Sequence, residues 1–301
     1  MDDISLTKKV LYYLYEYDSF LDSLTTIADM GCGDGEAVSW WANLTTRDEP
    51  PVPHNYKCYA VDRDGVRLGR IADQPNIFKI QRDFEELCLP IKVDLMCAFD
   101  SLQYSTNPLA TLKVWNQQLN VDGMLVLTVP QHSGVSHNTY YSRSYSGCFY
   151  NFTPVSLIYM LAVNGFDCRD AYLLKNFNDP WIRMAVYKSN IDPMDPKTTS
   201  WANLMDAGLL HPSVVQSIAS CGHVRQEDVL YPWLDRENYF IDYVSRHTEI
   251  PEEAGEPTVD GVFNTNVFTD QHNIEQAEPV QKKMKVGNSI GIMRPRKKKF
   301  E

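Results

Sequence analysis

The sequence lacks the cysteine patterns that mark a disulfide framework or a zinc site. Its seven cysteines are an odd number, and no two of them form a C-x-x-C pair. Several lie within apolar runs, where a free thiol packs as a small hydrophobic group, as is common in the reducing cytosol. We therefore expect no metal site, no disulfide framework and a cytoplasmic location. The cysteines are Cys32, Cys58, Cys88, Cys97, Cys148, Cys168 and Cys221.

Basic charge and long apolar runs are also scarce. The chain has 28 Lys and Arg against 39 Asp and Glu, which gives a formal net charge of -11. Proteins that grip a nucleic-acid backbone neutralise its phosphates with Lys and Arg, so the body of this protein is not expected to bind DNA. No apolar run approaches the roughly 18 residues of a membrane span, and Met1 to Lys9 does not lead into a signal peptide. These observations are compatible with a folded enzyme and predict no contact with membranes.

Between Thr25 and Lys188, short apolar runs alternate with helical patterns. This alternation predicts an α/β fold, a Rossmann-like, mostly parallel sheet of seven strands flanked by helices. One covering helix is predicted over about Pro154 to Val163, because Thr153-Pro154 is a typical helix start and Asn164-Gly165 a typical helix end. The predicted strands are Thr26 to Met30, Lys57 to Val61, Ile77 to Ile80, Val93 to Phe99, Met124 to Val129, Phe166 to Leu173 and Ile182 to Tyr187.

Three regions are predicted along the chain. Residues 1–190 form the α/β domain, which is predicted to begin with a Tyr-rich helix from Leu6 to Leu21. Residues 191–250 form a small helical appendage, with helices at about Trp201 to Ala207, Pro212 to Gly222 and Arg236 to Arg246. In the last region, residues 251–280 carry seven acids and no base, and residues 281–301 carry eight bases against Glu301. Such blocky charge favours a flexible tail.

A glycine-rich turn follows the first predicted strand. It reads Asp29-Met30-Gly31-Cys32-Gly33-Asp34-Gly35, and helix-forming residues follow it. Glycine permits a tight turn and lets a ligand approach bare backbone, whereas many glycine turns between a strand and a helix bind nothing. The dinucleotide fingerprint G-x-G-x-x-G requires glycine at position 36, which here is Glu36. The pattern therefore argues against a nicotinamide-dependent oxidoreductase.

The D-x-G-x-G-x-G pattern resembles the class I S-adenosylmethionine (SAM)-dependent methyltransferases, in particular their type 11/12-like domains. The resemblance covers about residues 20–190 and implies SAM as methyl donor, with S-adenosylhomocysteine (SAH) as product; the C-terminal extension resembles nothing recognised. In that family the acid that opens the motif contacts the methionine part of SAM, and the glycines line it. The implied cofactor-binding residues in this turn are Asp29, Gly31, Cys32, Gly33 and Gly35.

Two later acids fall where the family binds the nucleoside. Asp62 ends the second predicted strand and would accept both ribose hydroxyls, with Arg63 beside it. Asp83 follows the third strand and would bind the adenine amino group, while the backbone of Phe84 would contact the ring. The alternatives are a solvated acid before the Asp64-Gly65 turn for Asp62 and a helix N-cap for Asp83.

The segment after the fourth strand would lie beneath the transferring methyl group. Its cofactor-binding residues are Phe99, Asp100 and Ser101. Some family members carry a histidine in this motif, but here Gln103 and Tyr104 occupy the segment. The DNA base-methylating signatures, prolines at this position or a Pro-Cys nucleophile, are absent. The sequence thus predicts an unidentified acceptor that is a small molecule rather than a DNA base.

No general base can be assigned from the sequence. Its candidates are His132, His137 and Tyr140, in an aromatic-rich loop from Gln131 to Phe152 that would either hold the acceptor or pack on the helical appendage. A nucleic acid or an acidic partner would contact only the basic tail, residues 282–299. The alternative function is a non-catalytic SAM- or SAH-binding scaffold with the methyltransferase fold.

Overall fold

The computed structural model describes residues 23–46, 50–131, 149–176, 179–224 and 229. These residues contain a seven-stranded sheet whose order is β3-β2-β1-β4-β5-β7-β6. The strands are β1 (Thr26–Met30), β2 (Lys57–Asp62), β3 (Ile77–Gln81), β4 (Val93–Phe99), β5 (Leu119–Pro130), β6 (Phe166–Asn176) and β7 (Asp179–Lys188). The first five run parallel, and β7 is antiparallel to both β5 and β6. The predicted mostly parallel, seven-stranded sheet is confirmed.

The sheet changes direction of winding between β1 and β4. From β1 the chain proceeds outward to β2 and β3, and then returns to place β4 on the other side of β1. In open α/β sheets, ligands bind at such a switch point, outside the carboxyl ends of the strands. The turns after β1, β2, β3 and β4 therefore converge on one crevice.

Six described helices flank the sheet, and side-chain caps fix most of their starts. They are α1 (Glu36–Ala42), α2 (Gly65–Arg70), α3 (Pro108–Gln118), α4 (Pro154–Val163), α5 (Trp201–Asp206) and α6 (Pro212–Cys221). The predicted start of α4 is confirmed, because Thr153 and Ser156 form a reciprocal capping box. None of the described helices has the length and apolar character needed to cross a membrane.

The main hydrophobic core joins the sheet to α3 and α4. Met30, Met96 and Leu127 from the strands pack there with Trp115 of α3 and Leu161 of α4, all without solvent exposure. Leu204 of α5 and Val214 of α6 belong to the same core. The backbone N–H of Cys168 also donates to the carbonyl of Leu209 at 2.9 Å. The first two of the three helices predicted after residue 191 are thus present and share the core of the sheet.

The strand bounds differ from prediction mainly in β5. The sequence placed its start at Met124, after a turn at Asp122-Gly123, whereas pairing with β4 already begins at Leu119, opposite Val93. The register shifts between Val93 and Leu95, and Asp122 has a φ of 61°, so the turn-forming residues make a bulge inside the strand. The predicted helices at 6–21 and 236–246 and the tail at 251–301 lie outside the described residues.

Candidate cofactor and acceptor site

The glycine-rich turn after β1 is fastened to β2 through backbone hydrogen bonds. The N–H groups of Gly31 and Cys32 both donate to the carbonyl of Val61, at 2.8 and 3.0 Å. All three glycines of the turn have left-handed φ angles, 75° at Gly31, 55° at Gly33 and 81° at Gly35. Residues with a Cβ are strained in this region, which explains why the turn uses glycine.

The three glycines face different surroundings. A Cβ on Gly31 would lie 2.7 Å from Cβ of Ser101, and a Cβ on Gly35 would lie 2.5 Å from Cγ1 of Ile71. These two positions therefore require glycine for packing as well as for backbone conformation. At Gly33 the nearest atom would be a guanidinium nitrogen of Arg67, 3.5 Å away at the end of a flexible side chain. Gly33 is the position where the turn exposes bare backbone to a ligand.

Asp62, at the end of β2, is buried against this turn. Its Oδ2 accepts a hydrogen bond from the N–H of Gly33 at 2.9 Å, and its Oδ1 accepts one from the N–H of Asp64 at 2.8 Å. Each carboxylate oxygen can accept more than one hydrogen bond, so both retain capacity for a ligand hydroxyl. The structure thus places Asp62 beside Gly33, and its role as the ribose ligand stays a prediction. Arg63 is exposed next to it.

Asp29 lies at the end of β1 and is only 3% exposed. Burial raises the pKa of its carboxyl from 3.8 to about 7; the backbone N–H of Val38 opposes this rise, and the nearby Asp62 adds to it. Among the described residues, no Lys, Arg or His forms an ion pair with Asp29 or Asp62. Two adjacent buried acids without a cationic partner make this crevice suited to a positively charged ligand.

Asp83 and Phe84 follow β3. Oδ1 of Asp83 accepts a hydrogen bond from the N–H of Glu85 at 3.0 Å, which makes a local turn without a following helix. The ring of Phe84 is buried beneath the turn, with its Cδ1 3.4 Å from a Cβ built on Gly31. Its carbonyl accepts a hydrogen bond from Nε1 of Trp115 at 2.8 Å. Both residues follow β3, which pairs in parallel with β2, so they lie at the same carboxyl edge of the sheet as Asp62.

The end of β4 lies beside β1 at the same carboxyl edge of the sheet. After Phe99, Asp100 has a left-handed φ of 53°, and its N–H donates to Oγ1 of Thr128 at 2.9 Å. Ser101 and Gln103 are buried, and Nε2 of Gln103 donates to Oδ1 of Asp100. Oγ of Ser101 and Oε1 of Gln103 have no hydrogen-bond partner within the described part of the chain. Buried polar atoms of this kind are uncommon and require an explanation.

The end of the aromatic loop is bound to this same edge of the sheet. The N–H of Phe149 donates to the carbonyl of Gln103 at 2.9 Å, and the N–H of Phe152 donates to the carbonyl of Pro130 at 2.9 Å. The hydroxyl of Tyr150 donates to the carbonyl of Thr106 at 3.1 Å. Phe149 and Tyr150 thus lie beside the turn after β4. The candidate bases His132, His137 and Tyr140 lie outside the described residues.

Sequence reasoning missed two residues that the structure brings to the site. Gln103 was noted only as the occupant of a position where some family members have histidine, although its amide is among the most buried polar groups of the structure. Arg67 reaches Gly33 from α2, and no local pattern indicated it. Cys32, in contrast, was included as a cofactor contact; burial raises the pKa of its thiol well above the usual range, so it is not a reactive thiolate.

Comparisons with known proteins found similar solved structures at low sequence identity, and one family model. Among solved structures, the magnesium protoporphyrin IX methyltransferase of Synechocystis PCC 6803 with bound SAH is similar at 16% identity and a TM-score of 0.45, over 62% of this chain and 83% of that one. A putative SAM-dependent methyltransferase from Listeria monocytogenes is 15% identical with a TM-score of 0.45, over 60% and 100%. A SAM-dependent methyltransferase from Clostridium acetobutylicum ATCC 824 is 14% identical with a TM-score of 0.44, over 63% and 93%.

The comparison with curated proteins found no match. The family model described as "Methyltransferase domain" matches residues 8–171, which is more than half of the chain. This match confirms the resemblance stated from the sequence, and with it SAM as the cofactor. The chain belongs to the methyltransferase domain family.

Proposed function

We propose that this protein is an active SAM-dependent methyltransferase and that its acceptor is a small molecule rather than a DNA base. The observation that carries the proposal is the pairing of bare backbone at Gly33 with two buried acids, Asp29 and Asp62, that have no described cationic partner. SAM carries positive charge on its sulfonium and on its ammonium group. A crevice with this charge and this backbone exposure favours such a ligand over an anionic one.

The residues present would divide the contacts to the cofactor among the four segments at the ends of β1, β2, β3 and β4. Asp62 would accept hydrogen bonds from the ribose, Asp83 and the backbone of Phe84 would contact adenine, and Asp29 would face the methionine part. The segment Phe99 to Ser101 would border the sulfonium. Ser101 supports this placement, because its Cβ lies 2.7 Å from the Cβ position of Gly31. No side chain other than hydrogen would fit between them.

The reaction is a displacement at carbon. Bound SAM supplies an electrophilic methyl group and a good leaving group. Transfer would form a bond between the acceptor atom and the methyl carbon and break the carbon–sulfur bond, whose electron pair would stay on sulfur, and the proton of the acceptor would leave to water. The chain mainly has to align acceptor and cofactor and exclude solvent, and positioning of this kind supplies on the order of 7–11 kcal/mol.

The nature of the crevice supports a small acceptor. Its mouth near β4 carries Phe149 and Tyr150, which offer aromatic contact to a compact ligand. The acids Asp29, Asp62, Asp83 and Asp100 surround the cofactor position and would repel a phosphate backbone. Both features favour a small, uncharged or cationic acceptor.

Titration calorimetry with SAM, SAH and NAD tests the cofactor, and transfer of labelled methyl from SAM to pools of small molecules, proteins and nucleic acids tests the activity. We expect binding of SAM and SAH, no binding of NAD, and label in the small-molecule pool. Absence of SAM and SAH binding at millimolar concentration would contradict the enzyme proposal. Binding without transfer to any pool would indicate a non-catalytic scaffold instead.

A further inference from the structure

We propose that the side-chain oxygen of Gln103 accepts a hydrogen bond from the methyl acceptor, so that the acceptor is a hydroxyl or amine compound and not a carboxylate or a phosphate. The inference rests on the proposed function and names the class of its substrate. It starts from one observation: Gln103 is 1% exposed, yet its Oε1 has no partner within the described part of the chain. A buried acceptor without a donor is unfavourable, and a ligand that supplies the donor removes that cost.

Gln103 lies between the cofactor turn and the aromatic loop. Two residues before it, Ser101 packs against Gly31 of the glycine-rich turn. Its own carbonyl accepts the N–H of Phe149 at 2.9 Å, and the side chain of Phe149 is 63% exposed. An acceptor that approaches the methyl group from the side of the aromatic loop therefore meets the 3-10 turn Leu102–Tyr104, which contains Gln103.

The orientation of the amide follows from its neighbour. Nε2 of Gln103 donates to Oδ1 of Asp100. A carboxylate accepts hydrogen bonds, and of the two ends of the amide only the nitrogen donates, so the amide nitrogen must face Asp100. Oε1 is then the end left for a ligand, and it only accepts. The left-handed backbone of Asp100, held by Thr128, maintains this arrangement.

This chemistry selects the acceptor. A neutral amide oxygen pairs with an O–H or N–H group and does not pair with a carboxylate or phosphate oxygen, which lacks a proton at neutral pH. The carboxylate of Asp100 next to it adds repulsion toward an anion. An amide also cannot take up the proton of the acceptor. Gln103 thus binds and orients the nucleophile, and the proton leaves to water.

The test compares Gln103→Met with Gln118→Met. In both variants, methionine replaces a glutamine of similar length and removes its amide. Gln118 is also buried, but its Oε1 accepts the N–H groups of Cys88 and Leu89 at 2.9 and 2.8 Å, away from the crevice. Each protein is assayed for transfer of labelled methyl from SAM to catechol, tyramine, aniline, benzoate and phenyl phosphate. Binding of SAM, SAH and 5′-methylthioadenosine is measured by calorimetry, and stability by thermal unfolding.

We expect the wild-type protein to methylate at least one hydroxyl or amine compound and neither benzoate nor phenyl phosphate. Gln103→Met should lower kcat/KM about tenfold or more, the loss typical of one buried hydrogen bond, with the Kd for SAM changed less than about twofold. Gln118→Met should lower the unfolding temperature, because two backbone donors lose their acceptor, and leave kcat/KM of the folded protein unchanged.

Three results would overturn the inference while leaving the proposed function standing. The first is an unchanged kcat/KM in Gln103→Met. The second is SAM binding in the wild type with methylation of benzoate or phenyl phosphate alone, or of none of the compounds. The third is weaker binding of SAH but not of 5′-methylthioadenosine in Gln103→Met, which would assign the amide oxygen to the ammonium group of the cofactor. Failure of the wild type to bind SAM would overturn both proposals.

Discussion

Replacing Asp29 by asparagine is expected to stabilise the folded protein at neutral and alkaline pH. The carboxyl is 3% exposed, and burial raises its pKa from 3.8 to about 7. The folded state therefore binds a proton more tightly than the unfolded state does. Between these two pKa values the free energy of unfolding falls as the pH rises, and it levels off above pH 7. Asparagine has a similar shape and carries no charge, so the free energy of unfolding of the variant should not show this fall with rising pH.

The shift sets the size of the effect. A difference of about three pKa units corresponds to roughly 4 kcal/mol over the full range, because each unit is worth about 1.4 kcal/mol. Between about pH 5 and about pH 8, where the protein can be handled, the contribution of Asp29 falls by roughly 2.5 kcal/mol. The difference in unfolding free energy between Asp29→Asn and the wild type should grow by this amount.

Urea unfolding followed by tryptophan fluorescence across this pH range measures the difference, with Asp34→Asn as a control. Asp34 lies in the same turn, but its side chain is 58% exposed and pairs with Arg70 at 3.1 Å, so Asp34→Asn removes an exposed charge from this turn instead of a buried one. A profile for Asp29→Asn that runs parallel to that of the wild type would refute the reasoning.

Loss of the proton from Asp29 should also affect SAM binding, because SAM is a cation. We expect SAM to bind about tenfold more tightly at pH 8 than at pH 6, and Asp29→Asn to remove this pH dependence.

Three further predictions concern the cofactor site and the tail. Asp62→Ala should weaken SAM binding at least about tenfold in calorimetry while the circular dichroism spectrum is unchanged, since the ribose would lose charge-assisted hydrogen bonds; unchanged affinity would place the ribose elsewhere. Gly33→Ala should cost roughly 1–2 kcal/mol of stability for its left-handed backbone, whereas Gly35→Ala should cost clearly more in thermal unfolding, because its Cβ would lie 2.5 Å from Ile71; equal losses would contradict the packing argument. Deletion of residues 251–301 should leave SAM affinity unchanged, and a large loss would show that the tail contributes to the pocket.

The strands next to the switch point were predictable because their ends carry strong local signals. β1 was predicted as Thr26–Met30 and β4 as Val93–Phe99, the bounds that the structure shows. A glycine turn follows β1, and Asp100 follows β4. Residues of this kind end an apolar run abruptly, so the position where the strand ends is well defined by the sequence. β5 was harder, because Asp122-Gly123 is typical of a turn between elements. Here tertiary pairing with β4 extends the strand across it.

The cofactor half of the site was predictable for a related reason. A turn that exposes its backbone needs glycine at fixed positions, and an acid that follows a strand has a fixed place at the sheet edge. What these patterns could not show is that Gly35 packs on Ile71, while Gly33 meets only the flexible end of the Arg67 side chain. That distinction depends on Ile71, which lies 36 positions after Gly35 and is brought next to the turn only by folding.

The acceptor half depends on side chains, and their partners are set by distant parts of the chain. Gln103 is buried whether or not it binds a ligand, and only its hydrogen-bond pattern separates the two cases: Gln118 is satisfied by two backbone donors, whereas Oε1 of Gln103 has none among the described residues. A binding site for the methyl donor that is built from backbone groups can be shared by many SAM-dependent methyltransferases, because they bind the same cofactor. On the proposal made for Gln103, acceptor specificity would come from side chains in the turn after β4, where one amide oxygen would favour a hydroxyl or an amine over an anion.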